Sequence, residues 1–286
     1  SYLKEFESRV ISCNKWSMDI NQKRNKTKKS KKSKKKQQEF YEIKLDDSIL
    51  FAEGGGQPTD IGTINDIPVL RVVRTENSDI IHQTTKALDV GTKVNIKLNW
   101  NKRFDHMQHH SSQHLISAVF RNELNMKTIS WWLSEYPKVC SIELECNEPN
   151  KINDEIIGNI EQNINNIIIN GHDMDVHIFH DNESISEFER NHDGFKMKEL
   201  PKGYGVLRCI EIKGIEYNIC CGTHVSNTNQ LQMIKFCGYN INKNDNKMIL
   251  YFLSGNRIFN TFTDMYNRQK EMNNILKTNP ENHIKN

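Results

Sequence analysis

His110 and His114 stand at H-x-x-x-H spacing inside Asp105–Phe120, which reads DHMQHHSSQHLISAVF. In a helix, residues i and i+4 lie on one face, so the two imidazoles point the same way and can close on a single metal ion. Leu115, Val119 and Phe120 supply an apolar side to the same stretch, so one face packs while the other faces chemistry. About a hundred residues downstream, Cys220 and His224 stand at C-x-x-x-H spacing in ICCGTHV, Ile219–Val225. Three imidazoles and one thiolate form a borderline-soft donor set that suits zinc and suits magnesium or calcium poorly. Taken singly, either pair reads equally well as buried core histidines or a buried thiol. The two pairs together predict one zinc ion per chain.

A second stretch with chemical content is AEGGGQPTDIG, Ala52–Gly62. It is too rich in glycine and turn formers for a helix or a regular strand, and predicts a shaped loop. Backbone N–H groups of a GGG run can cradle an anion. No G-K-[ST] follows and no helix clearly begins there, so an RNA backbone or terminal ribose fits better than ATP. Lys23–Lys36 (KRNKTKKSKKSKKK) carries ten positive charges and no acid; subtracting those ten from the net +3 leaves −7 for the rest of the chain. The tract is an electrostatic handle for a polyanion such as RNA. Its Lys/Ser/Thr/Asn bias predicts a disordered insertion over residues 22–38, with a solvated loop or a nuclear-localisation look-alike as the alternative.

The elements that must position these residues follow from pattern. Phe6–Cys13, Phe40–Phe51, Thr63–Val73 and Lys93–Leu98 read as strands of a small, mostly β domain, with Trp100–Phe104 as the junction. The histidine helix comes next, then Thr128–Leu133 as a loop and Val139–Glu145 as a strand. Asn153–Ile169 carries isoleucines at helical spacing behind an Asn/Asp cap, which predicts an amphipathic helix. Asp173–Phe179 alternates as a strand and Ser184–Arg190 as a short helix. Val206–Ile212, Leu231–Phe236 and Met248–Leu253 add strands, with the CCGTH turn between the first two, and Arg257–Leu276 reads as a helix.

The 286 residues are ample for a hydrophobic core. No stretch is long and apolar enough to span a bilayer, and the start, SYLKEFESRVISC, has no basic and then apolar leader pattern; a soluble cytoplasmic protein is expected. Seven cysteines, single or as the adjacent pair Cys220–Cys221, do not make a secreted disulfide framework and fit reduced thiols.

FAEGGGQPTDIG, HHSSQHL and CCGTHV, in this order, resemble the editing region of alanyl-tRNA synthetase and its freestanding relatives, the AlaX alanyl-tRNA editing proteins. GTIND, RFDHMQ, NICCGTHVSN and FLSGNRI resemble the longer eukaryotic type, and the resemblance runs from Phe6 to Arg257. It implies an α+β fold: a small N-terminal β-barrel-like domain over residues 1–100 with the glycine-rich motif, then a two-layer α+β zinc-binding editing domain of the alanyl/threonyl-tRNA synthetase type over 101–255. Residues 256–286 form a C-terminal helical segment that reads as incomplete, because long members of the family continue beyond it. The implied activity is hydrolysis of tRNA(Ala) wrongly charged with serine, and for some members glycine, which makes that tRNA the partner. Position by position, His110, His114, Cys220 and His224 match the metal ligands of the family. Glu53, Gly54, Gly55, Gly56, Gln57, Asp60 and Gly62 match the glycine-rich motif that the family uses in substrate handling. Cys221 departs from the glycine found in many relatives, and the lysine tract has no counterpart.

An aminoacyl-tRNA is an ester, so the task is to deliver water to an activated carbonyl and to stabilise the oxyanion. Zinc polarises a carbonyl or acidifies water if a coordination position is free, whereas four protein donors describe a closed site. Either Cys220 or His224 is displaced, or the metal orders the architecture while other groups direct the water; the second is favoured. A hydroxyl added to a ligand changes apolar fit by only about 1–3 kcal/mol, whereas a site that hydrogen-bonds it discriminates by roughly 10⁴-fold. Gln113, Thr128 and Ser130 are the candidate contacts to that serine hydroxyl, ordinary loop and capping chemistry being the alternative for each. Trp131 and Trp132 are candidates for stacking on a terminal base or for packing, and His106 and His109 for supporting the ligands. Two other functions stay open: editing of another mischarged tRNA such as Ser-tRNA(Thr), and a non-catalytic zinc-stabilised RNA-binding module.

Overall fold

A computed structural model describes residues 2–16, 39–192 and 206–283. The lysine tract and the insertion predicted over 22–38 lie outside the described residues. The chain divides into two compact units, Ser1–Gly54 with Pro58–Arg103, and Gly55–Gln57 with Phe104–Asn286.

In the first unit, six strands close into an antiparallel barrel: β1 (Glu5–Trp16), β2 (Phe40–Leu45), β3 (Gly62–Ile64), β4 (Ile67–Arg74), β5 (Ile80–Thr84) and β6 (Lys93–Leu98), in the order β1-β2-β5-β4-β3-β6. Alternate residues face inward, so Val10, Ile43, Ile64, Val72 and Ile96 fill the interior. The run predicted over Thr63–Val73 is a hairpin. Asn65 and Asp66 both take positive φ, 47° and 62°, the geometry of a tight turn that asparagine and aspartate tolerate. β2 stops at Leu45 because Asp46, Asp47 and Ser48 turn the chain. Strand β5 had no sequence signal, since its His82, Gln83 and Thr84 are polar and yet buried.

The second unit is built on α1 (Trp100–Leu124), whose first turn is counted with the barrel unit. It starts five residues before the predicted helix, where Asn99 accepts from the N–H of Lys102 at 3.1 Å and caps it. Its middle is buried all round, including Gln108, His109, Ser111 and Ser112, and a buried polar side chain must find a partner. Gln108 donates to Gln230 O at 2.8 Å and Ser112 to Ser254 Oγ at 2.7 Å. A four-stranded sheet has the order β12-β13-β8-β7 from β7 (Thr128–Trp132), β8 (Cys140–Glu145), β12 (Ile234–Asn242) and β13 (Lys247–Ser254). A three-stranded sheet is formed by β9 (Met174–Phe179), β10 (Leu207–Ile212) and β11 (Glu216–Ile219).

Between β8 and β9 in the chain, α2 (Asp154–Asn170) is capped by Asn153, buries Ile157, Ile160, Ile164 and Ile168, and ends at Gly171. A short helix, α3 (Asn182–Asn191), follows β9. The last helix, α4 (Asn256–Leu276), buries only Arg257. That guanidinium donates to Ser134 O and Lys138 O at 2.9 and 3.0 Å and pairs with Asp105. Among the described residues, no helix is long and apolar enough to cross a membrane.

Candidate metal centre

The buried middle of α1 presents His110 and His114 one turn apart, and the segment leaving β11 brings Cys220 and His224 against them. One ligand atom from each of the four lies within 4.8 Å of the others, and all four side chains are buried. Cys220 Sγ is 3.4 Å from His110 Nε2 and 3.3 Å from His224 Nε2. The His110 and His114 rings stack at 5.1 Å.

The remaining ring nitrogens fix which atoms face the cluster. Nδ1 of His110 lies 2.9 Å from Gln57 Oε1, which also accepts the N–H of Thr223 at 2.9 Å. An amide oxygen only accepts, so His110 carries its proton on Nδ1 and turns a bare Nε2 inward. His224 presents Nδ1 to Ser111 Oγ at 3.2 Å, leaving Nε2 on the cluster side. His114 Nε2 is buried with no hydrogen-bond partner among the described residues. Such a group costs stability unless something coordinates it.

Burial holds His114 down to about 4 and His110 and His224 well below the usual imidazole range, so all three are neutral, the form that ligates. Burial also pushes the Cys220 thiol up to about 11, and a bound cation is what would hold it as thiolate. Orphaned nitrogen, neutral imidazoles and soft sulfur together fit one divalent metal ion.

The approach of the loop to α1 requires Gly222. A Cβ there would lie 2.2 Å from His110 Cε1 and 2.4 Å from Nδ1. Arg208 donates to Cys220 O and Gly222 O and holds the loop's backbone, while the N–H of Gly222 points at Cys220 Sγ, 3.3 Å away.

Gln113 and Thr128 meet at Ser117: Gln113 Nε2 and Thr128 Oγ1 donate to its hydroxyl at 2.9 and 2.6 Å. Gln113 Oε1 is buried without a partner among the described residues. Ser130 is elsewhere. A bulge between Thr128 and Ser130 breaks the alternation of β7, and the Ser130 hydroxyl donates to Glu143 at 2.8 Å. Trp131 and Trp132 are on the same strand rather than in a loop, with Trp132 71% exposed.

Residues of the glycine-rich motif separate by environment. Glu53 is exposed and paired with Arg71, and Gly54 is exposed. Asp60 is fully buried, accepts the N–H of Phe51 at 2.7 Å and pairs with Arg103. Gly62 lies where a Cβ would meet Lys97 O at 2.2 Å, which serves the barrel. Of the neighbouring histidines, His109 bonds Asp105 O at 2.8 Å and accepts from Ser254 N at 3.1 Å, so it braces α1 rather than a ligand. Ser111, Gly222 and Thr223 lie inside the motifs HHSSQHL and CCGTHV and Arg208 outside them; none is singled out by the HxxxH and CxxxH spacings, which say nothing about what supports the clustered side chains.

The domain described as the threonyl and alanyl tRNA synthetase second additional domain matches residues 207–249, which contain Cys220 and His224. An alanyl-tRNA editing protein Aarsd1 of Danio rerio is 36% identical over 291 residues, covering 99% of this chain and 64% of the relative. The chain belongs to the alanyl-tRNA editing protein family. Another such editing protein, Aarsd1-A of Xenopus laevis, is 39% identical over 245 residues, 85% of this chain and 56% of its own length. An alanine–tRNA ligase of Methanobrevibacter smithii is 30% identical over 202 residues, 68% of this chain and 22% of the ligase. The chain thus spans about three-fifths of the length of the curated editing proteins it matches.

Proposed function

We propose that this member of the alanyl-tRNA editing family is a trans-acting aminoacyl-tRNA deacylase that hydrolyses Ser-tRNA(Ala), with Gly-tRNA(Ala) as a further substrate, at a zinc site formed by His110, His114, Cys220 and His224. The observation that carries this reading is the convergence of those four donors within 4.8 Å, in a chain whose relatives are named for alanyl-tRNA editing. When bound, zinc would supply a fixed positive charge, and Lewis-acid polarisation only where one of the four donors gives way. Four protein donors fill a tetrahedral ion, so its main task is to hold α1 and the CCGTH loop in register.

The side chains beside the cluster do the selecting. Gln113 Oε1, buried and without a partner among the described residues, accepts the hydroxyl of a seryl group, and Thr128 with Ser117 fixes the orientation of the Gln113 amide. Alanine would leave that oxygen unpaired, which disfavours the correctly charged tRNA. The exposed backbone of Gly55 and Gly56 is assigned to a terminal ribose or phosphate.

The test is deacylation of Ser-tRNA(Ala), Ala-tRNA(Ala) and Ser-tRNA(Thr), with metal content measured on the same preparations. Hydrolysis of Ser-tRNA(Ala) well above the other two is expected, and His110→Ala or Cys220→Ala abolishes it together with bound zinc. Equal rates on Ser-tRNA(Thr) would overturn the tRNA assignment, and full activity in a zinc-free variant would overturn the role of the metal.

A further inference from the structure

Gln57 follows the three glycines of the motif that invited an anion-binding reading, yet it is 1% exposed and grouped with the second unit. Its amide oxygen accepts from His110 Nδ1 and from Thr223 N, both at 2.9 Å, and its amide nitrogen donates to Thr223 Oγ1 at 2.8 Å. Both lone pairs of the oxygen are thereby used, so none is left for a substrate. One side chain ties the helix bearing the first two ligands to the residue preceding the fourth.

What holds Gln57 there is also visible. Gly55 and Gly56 take positive φ, 58° and 77°, a backbone path that side-chain-bearing residues rarely follow. Above them lies the Trp131 indole, whose Nε1–H donates to Gly55 O at 3.3 Å. A Cβ on Gly56 would sit 2.3 Å from Trp131 Nε1, so only glycine lets the ring close on the turn.

We infer that Gln57 is a positioning residue for the metal centre, fixing the His110 proton on Nδ1 so that Nε2 is the ligand atom, and that Trp131, packed over Gly56, clamps Gln57 in place. Resting on the zinc reading of the cluster, this gives the GGGQ stretch a task in holding the metal besides any contact with RNA. Outer partners of ligating histidines typically change metal affinity by about 10–100-fold. Their effect comes from presetting ring orientation, so that the rotational freedom an unheld imidazole would lose on binding is already gone.

The experiment is zinc affinity by chelator competition on the whole chain, with far-ultraviolet circular dichroism of the metal-free proteins as the folding control. Gln57→Leu, which removes the acceptor at similar size, is expected to weaken zinc binding by about 10–100-fold. Gln57→Glu, which still accepts from His110, keeps wild-type affinity. Trp131→Ala weakens binding by a smaller factor, and Trp132→Ala, at the exposed neighbour, does not change it. Wild-type affinity in Gln57→Leu overturns the inference, as does a Gln57→Glu variant as weak as Gln57→Leu; wild-type affinity in Trp131→Ala overturns the clamp. If Gln57→Leu does not fold, Gln57→Glu and Trp131→Ala decide. Should the unmutated chain bind zinc and show this order of affinities yet leave Ser-tRNA(Ala) intact, the proposed activity fails and the inference stands.

Discussion

His82 in the barrel and His114 in α1 are both buried, and burial pulls both down to about 4, but their second nitrogens differ. His82 gives its Nδ1 proton to Ile43 O at 3.2 Å and takes the Ser48 hydroxyl on Nε2 at 2.8 Å. Its bonding is complete, and it is part of the barrel's packing. His114 leaves Nε2 with no hydrogen-bond partner among the described residues, and a ligand atom of its ring lies within 4.8 Å of those of two other imidazoles and a sulfur. Burial or depressed basicity alone does not mark a ligand. An unspent nitrogen among other soft donors does.

Gly222→Ala would break the comparison from the metal side. The added methyl meets the His110 ring at 2.2 Å, and either the ring or the CCGTH loop must move. Zinc affinity is expected to fall by about 100-fold or more, beyond the usual range for loss of an outer partner, as read by chelator competition; unaltered affinity would mean that the loop does not pack as described.

On the barrel side, acid is the probe. The folded pKa of His82, about 4, lies below the ordinary 6.5, so protons favour the unfolded chain. Its contribution is fully present above pH 6.5 and is lost as pH falls from 6.5 through about 4. At about 1.4 kcal/mol per pKa unit, the loss is on the order of 3 kcal/mol. Comparing the pH dependence of the denaturant midpoint with that of His82→Asn checks this, since the variant should lose that part of the acid sensitivity.

The smallest expected effect is Ser48→Ala, which leaves His82 Nε2 unpaired inside the barrel and also removes the acceptor of Leu50 N. Urea unfolding should register a cost of about 1–3 kcal/mol. A neutral result would mean that an orphaned ring nitrogen is tolerated even without a metal, and would weaken the argument from His114.

How much of this was legible in the sequence depends on the range of each signal. The two pairs that cluster were legible because H-x-x-x-H and C-x-x-x-H are local spacings, and α2 because its cap and isoleucines lie within one helix. The barrel and the later α+β unit followed from strand patterns and the resemblance. Gln57 was read as part of a substrate loop, because its partners lie 53 and 166 residues away and no spacing reports them. The separation of Ser130 from Thr128 depends on a bulge, which a period-2 reading does not contain. The early start of α1 and the existence of β5 were missed for one reason: buried polar side chains with specific partners look, in sequence, like solvent-facing ones.

The anchoring of α4 has a consequence for motion. Arg257 in its first turn is locked among Asp105, Ser134 and Lys138, and Tyr136 reaches Asp264 a little further on, while Met265, Met272 and Ile275 are exposed. A helix tethered at one end and unsupported at the other unravels from the free end inward. Backbone opening in α4 is therefore expected to be graded, costly at Arg257 and cheap near Leu276, so that amide hydrogen exchange should quicken from one end of the helix to the other.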